Sequence, residues 1–250
     1  MSGHSKWANI KRQKGAADAK RGQLFTKLAR EIIVAVRQGG ASLDSNFRLR
    51  LAVQKARDNN MPSDNIERAI KRGSGEAGGA ALTEVRFEGY GPSGIAVLVD
   101  ALTDNRNRTV QDVRRMFSRH GGNLGESGCV SWLFENRGVI TVESSTPDAE
   151  GTALRAIDAG AEDVRTENSY VEIYTQPQDL EKVRKVIEEK EHVISAELSL
   201  MPKTTVVLDE NKAVQALNFL DELEALDDVQ RVFSNMDFSD TTLERLRSQT

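Results

Sequence analysis

The sequence predicts an α+β chain of three domains: an N-terminal three-helix domain with a basic arm, then two α/β (ferredoxin-like) domains, the third inserted into the second. Three observations lead there. Apolar residues recur at helical spacing up to about residue 72 and at strand spacing from Leu82 onward. Residues 138–201 spell strand, helix, strand, strand, helix, strand, which is the split βαβ order. Charge divides along the chain as well. Residues 1–72 hold sixteen lysines and arginines against six acids, a net of +10, and the remainder holds eighteen against thirty-two, a net of −14.

The elements follow in order. The opening Met1 to Lys14 is basic, with Trp7 and small polar residues but no apolar period, so it builds no core of its own. Leu24, Phe25, Leu28, Ile32, Ile33 and Val36 define a first helix that Gly39-Gly40 stops. A second opens near Asp44/Ser45, carries Phe47, Leu49, Ala52, Val53 and Ala56, and is broken by Asn59-Asn-Met-Pro62. A short third begins at Ser63/Asp64, with acids in its first turn and Lys71-Arg72 in its last, as the helix dipole favours. Gly73 to Ala81 reads as a flexible linker.

Alternation at Val85 and Phe87 predicts a half-solvated strand, and Ile95–Val99 a central one. A helix over about Asn105–Arg119 and a strand over Cys129–Phe134 complete that stretch. The inserted unit is a strand Val139–Val142, a helix from Pro147/Asp148 to Ala159, strands Asp163–Thr166 and Tyr170–Thr175, a helix Asp179–Lys190 and a strand Ile194–Leu200. A strand Thr205–Leu208, a helix burying Val214, Leu217, Leu220 and Leu223, and a strand Val229–Ser234 return to complete the sheet begun at Leu82. The predicted domains are therefore 1–81, 82–135 plus 203–238, and 136–202.

Composition excludes several classes. No window approaches the roughly 18–20 apolar residues of a membrane span, and the basic N-terminus lacks a signal peptide's apolar stretch. A single cysteine, Cys129, excludes an internal disulfide framework and a Cys-rich zinc site. A cytoplasmic location is expected. An enzyme is not, and neither is a cofactor. His4, His120 and His192 stand apart without ligand-like neighbours, no Walker-type loop or nucleophile elbow occurs, and Cys129 is expected on a strand facing the core.

The cations carry the functional signal. Lys6, Lys11, Arg12, Lys14, Lys20, Arg21 and Lys27 are candidates for phosphate contact, with Trp7 stacking on an unpaired base; a solvated tail anchored by Trp7 is the other account. Arg48, Arg50, Lys55 and Arg57 extend that surface or simply solubilise the second helix. Gly89-Tyr-Gly-Pro-Ser-Gly94 fits the dinucleotide-binding spacing but precedes a strand rather than a helix, so it is a hairpin turn. Thr103-Asp-Asn-Arg-Asn-Arg108 lies at a strand end and a helix start. It is either an anion site strengthened by Arg106 and Arg108, or a cap by Thr103 or Asp104 with outward arginines. Lys71, Arg72, Arg114, Arg115 and Arg119 are further candidates for one surface. The acidic remainder, including Glu222, Glu224, Asp227 and Asp228, either keeps the chain soluble or meets a basic ribosomal protein or a polymerase region.

Several strings taken together are more specific. Gly3-His-Ser-Lys-Trp-Ala-Asn-Ile-Lys11, Lys27-Leu-Ala-Arg-Glu-Ile32, Asn59-Asn-Met-Pro62, Glu88-Gly-Tyr-Gly-Pro92, Thr103 to Thr109, Gly121-Gly-Asn-Leu-Gly125 and Met201-Pro202 resemble, in this order, the YebC/PmpR family. The resemblance implies a three-domain α/β protein of the bacterial transcriptional regulator type. It also implies kinship with mitochondrial translational activators and a role at the ribosome. Residues and resemblance together lead us to expect a non-enzymatic, nucleic-acid-binding regulator of gene expression. A DNA-binding transcriptional regulator is the first reading and a translation factor on ribosomal RNA the alternative. A ligand sensor built on the ferredoxin-like domains rests on fold analogy alone.

Overall fold

The computed structural model describes residues 18–75, 82–143, 149–166 and 170–239, with 242 and 245. The chain divides into two compact units, residues 1–134 with 202–250, and residues 135–201.

The first unit begins with three helices: α1 (Asp18–Gly39), α2 (Phe47–Asp58) and α3 (Ser63–Gly73). Their apolar stripes meet in a core of Leu28, Ile32, Val36, Leu49, Val53 and Ile66. Helix α1 ends where Gly40 adopts φ +82°, and α2 begins one residue after its cap, Asn46. The cap is thus Asn46 rather than Asp44 or Ser45. Its Oδ1 accepts from Leu49 N at 3.0 Å while its amide donates to Ala35 O at 2.7 Å, a buried double duty that a carboxylate cannot fill because it has no donor.

A four-stranded sheet follows. β1 (Thr83–Tyr90) and β2 (Ala96–Thr103) pair antiparallel from Thr83↔Thr103 to Tyr90↔Ala96, so residues 91–95 form the expected hairpin connection. Helix α4 (Arg106–Arg119) leads to the two-residue β3 (Asn123–Leu124), which lies against β1. A Cβ on Gly89 would stand 2.5 Å from Asn123 O and 2.7 Å from the Phe117 ring, so only glycine fits that crossing. β9 (Val229–Ser234) slots beside β2 and completes the sheet as predicted, in the order β3-β1-β2-β9. Helices α4 and α7 (Glu210–Glu224) close one core with Phe87, Val97, Val99, Val113, Leu220 and Val232, and Phe117 meets Phe219 edge-on at 5.0 Å.

Three expectations fail here. No strand forms over Cys129–Phe134: residues 131–133 make a 3-10 turn, and only Phe134 enters a strand, β4 (Phe134–Glu143). The reason lies in Glu88, whose buried carboxylate takes the N–H groups of Gly128, Val130 and Ser131 at 2.9, 3.1 and 2.8 Å, donors a ladder would need. Cys129 accordingly sits half-buried in a turn, and burial, then the Glu88 charge, push its thiol pKa up. The strand β8 (Val206–Leu208) stays out of the main sheet and pairs in parallel with β10 (Met236–Phe238), an element too short to show a period.

The second unit contains β4, α5 (Ala149–Ala159), β5 (Asp163–Thr166), β6 (Tyr170–Thr175), α6 (Leu180–Glu188) and β7 (Val193–Pro202). Its sheet order is β5-β6-β4-β7, with β6 antiparallel to both neighbours. Ile140, Ile173, Leu180, Val183 and Ile187 are fully buried in it.

Candidate nucleic-acid interface

The cations chosen from the sequence fall into three groups. Lys6, Trp7, Lys11, Arg12 and Lys14 lie outside the described residues. Lys20 and Arg21 fall in the first turns of α1, where the backbone alone is described. Lys27, Arg106 and Arg108 are described in full.

The last three have different surroundings. Arg106 is the first residue of α4 and is exposed. Lys27 Nζ donates to the backbone carbonyl of Glu224. Arg108 donates to Asp104 Oδ1 at 3.0 Å and to Asp228 Oδ2 at 2.7 Å. Lys27 and Arg108 thus converge on one short segment, residues 224–228, from two different helices.

Asp228 is the centre of that segment. It is 7% exposed, and Thr109 Oγ1 and Thr103 Oγ1 approach its Oδ2 at 2.8 and 3.2 Å while Arg30 donates to its Oδ1 at 3.1 Å. Burial alone would raise its carboxyl pKa. Hydrogen bonds from Arg108 and Thr109 and the charges of Arg108 and Arg30 outweigh that and hold it below the usual carboxylate range. Asn105 is the actual cap of α4, accepting from Arg108 N at 3.1 Å, and Thr103 Oγ1 accepts from Asn105 N at 2.8 Å. The strand-to-helix corner does collect an anion, and that anion is the chain's own Asp228. Sequence reading missed Arg30, Thr109 and Asp228 as one group because they lie up to 198 residues apart.

The same face of α1 joins the bundle to the sheet. Arg30 also donates to Asp227 O at 2.6 Å, Glu31 meets Arg231 of β9 at 2.8 Å and Lys55 of α2 at 3.6 Å, and Gln38 reaches Glu84 of β1 at 2.7 Å. Val34, between them on the helix, is buried outside the bundle's own core. Burial would raise the Glu31 pKa, yet Lys55, Arg231 and Arg48 bring it down to about 2.

Other cations divide the same way. On α4, Arg115 pairs with Asp112 at 3.6 Å and Arg119 with Glu222 at 3.2 Å, and His120 Nε2 also lies 3.1 Å from Glu222. On the bundle, Arg37, Arg57, Lys71 and Arg72 are exposed or half-exposed and have no carboxylate within ion-pair distance among the described residues. Of the acids proposed to meet a partner, Asp228 is committed internally and Glu222 is shared by Arg119 and His120. Among the described residues no cluster of His, Cys, Asp or Glu could hold a metal, and no helix is long and apolar enough to cross a membrane.

Comparison with known proteins agrees along nearly the whole chain. The family profile described as the TACO1/YebC protein N-terminal domain matches residues 5–76, and that of the TACO1/YebC second and third domain matches residues 82–236. A protein of Dehalococcoides mccartyi, described as a "Probable transcriptional regulatory protein", is 61% identical over 250 residues, covering all of both chains. One of Natranaerobius thermophilus with the same description is 50% identical over 248 residues, 98% of this chain and 99% of that one. Among solved structures, a conserved hypothetical protein of Aquifex aeolicus superposes with a TM-score of 0.82 at 48% identity, over 89% of this chain and 93% of the other.

Proposed function

The chain belongs to the TACO1/YebC family, and from that premise we propose that it is a non-enzymatic, nucleic-acid-binding regulator of gene expression, acting as a DNA-binding transcriptional regulator. The observation that carries the reading is the net +10 over residues 1–72 against the net −14 of the remainder. Relatives described as transcriptional regulatory proteins support the biological context. We read the chain as three domains, 1–81, 82–135 with 203–238, and 136–202, the last two ferredoxin-like and the third inserted into the second.

In this reading the arm grips phosphate through Lys6, Lys11, Arg12, Lys14, Lys20 and Arg21, with Trp7 stacking on a base. Arg106 extends the contact. Lys27 and Arg108 reach a phosphate only by exchanging their own carbonyl or carboxylate partner for it. RNA, ribosomal RNA included, is the second reading, favoured by one observation. The connection between α2 and α3 runs through Asn59–Pro62 with Met61 buried, and α3 is only eleven residues long, unlike a tight helix-turn-helix with a groove-filling second helix. The test is crosslinking in cells followed by recovery of bound nucleic acid. Enrichment of promoter DNA supports the first reading, enrichment of ribosomal RNA the second, and recovery of neither overturns both.

A further inference from the structure

We propose that Trp132 and Tyr90 form a stacking platform for an unpaired base of a single-stranded nucleic acid, with Lys203 beside it to meet a phosphate. The proposal rests on the nucleic-acid reading above and specifies which state of the polymer the acidic body contacts. Trp132 is 63% exposed and Tyr90 42%, and one backbone oxygen anchors both. Cys129 O accepts from Trp132 Nε1 at 3.1 Å and from Tyr90 Oη at 3.4 Å. With their polar atoms satisfied on the protein, what the two side chains leave to solvent is ring surface.

The turn that carries Trp132 is held by several hydrogen bonds. Leu133 N donates to Val130 O at 3.0 Å, and Lys203 N donates to Leu133 O at 2.8 Å. Lys203 Nζ donates to Trp132 O at 3.1 Å. The Glu88 carboxylate holds Gly128, Val130 and Ser131 by their N–H groups. A ring presented on so constrained a turn loses little freedom when something stacks on it.

The body is acidic overall, which opposes a phosphate-tracking groove, so the attraction proposed here comes from the two rings and from Lys203. Locally the buried Glu88 carboxylate is already hydrogen-bonded by three N–H groups, the exposed Glu126 lies close enough for its charge to act on Cys129, and Lys203 has no carboxylate within ion-pair distance among the described residues. A base face on the rings and one phosphate near Lys203 fit that surface. Duplex nucleic acid hides its base faces and does not.

The chain has two tryptophans, Trp7 and Trp132, so in the Trp7→Phe variant the tryptophan emission comes from Trp132 alone. Titrating that full-length variant with a short oligo(dU) is expected to quench the emission, with a midpoint matching anisotropy of the labelled oligonucleotide; a duplex of equal charge leaves it unchanged. In the otherwise intact chain, Trp132→Ala is expected to weaken single-strand binding roughly tenfold while leaving the salt slope unaltered, because stacking neutralises no phosphate. Loss of the arm flattens that slope, so the two contributions separate. Single-strand binding with silent Trp132 emission and full affinity in Trp132→Ala would overturn the platform and leave the arm reading intact. Absence of any nucleic-acid binding by the intact chain would overturn both. A Trp132 emission shift that follows protein concentration without oligonucleotide would assign the rings to self-association and also overturn the proposal.

Discussion

The helical bundle and the α/β body both pair arginines with acids, Arg30 and Arg48 doing so on the bundle, but the bundle leaves more of its described cations without a described acid. On the body, Arg86 grips Asp100 through two nitrogens at 2.6 and 3.0 Å, Arg108 spans Asp104 and Asp228, and Arg119 meets Glu222. On the bundle, Arg37, Arg57, Lys71 and Arg72 project without a described acid in reach, downstream of an arm with six more cations. An unmatched cation on a rigid surface waits for an anion from elsewhere, whereas a matched one is already part of the fold. For the proposed nucleic-acid reading, the difference directs attention to cations without an acid partner rather than to total charge.

The largest expected effect comes from deleting the unmatched set. Removing residues 1–21 should lower the slope of log affinity against log salt by about 0.9 for each duplex-DNA phosphate that the arm neutralises. An unchanged slope would break the comparison outright. Next comes the best-matched acid on the body. Asp228→Ala removes the buried carboxylate shared by Arg30, Arg108 and Thr109, leaving Arg30 on Asp227 O and Arg108 on Asp104, and should destabilise the protein by about 2–3 kcal/mol in denaturant unfolding, with little change in the salt slope.

Glu31 sharpens the comparison at the junction of the two regions. Its folded pKa of about 2 lies below the ordinary 4.5, so its stabilisation is fully present above pH 4.5 and is lost as pH falls toward 2. Glu31→Gln should cost about 2 kcal/mol at neutral pH and flatten the acid limb of the stability profile between those values. A smaller effect is expected at Glu88, where Gln keeps one acceptor but loses the charge that orders three amides. A loss of about 1 kcal/mol of stability would show the turn loosened, whereas faster thiol labelling of Cys129 alone would not, because removing the Glu88 charge also lowers the thiol pKa. The smallest is a pair of surface exchanges. Lys71→Gln with Arg72→Gln should reduce the salt slope, whereas Arg115→Gln with Arg119→Gln should leave it within error.

What the sequence made legible was whatever depends on near neighbours. Tyr170–Thr175 and Val229–Ser234 are strands with the predicted limits, because alternation and β-branched residues act locally. The placement of β9 beside β2 also followed, since a strand left over needs a partner. What stayed hidden depends on residues far apart. Cys129–Phe134 looks like a strand until Glu88, about forty residues earlier, claims its amides. Asp228 looks like a solvated acid until α1 and α4 close over it. The arm was legible as charge and Lys27 and Arg108 as cations, but their acceptors were not.

β9 comes late in the chain although it borders an inner strand of the sheet. β2 is an inner strand whose second edge is filled only by residues 229–234, so emergence of residues 82–124 from the ribosome leaves half of its hydrogen-bonding edge bare. Arg231 and Asp228, which fasten α1, travel on the same late segment. The helices of the bundle are therefore synthesised before α1 gains those two partners, and residues 135–201 precede the strand that completes the first sheet. The strand that completes the sheet thus also belongs to the segment that supplies α1 with Asp228 and Arg231.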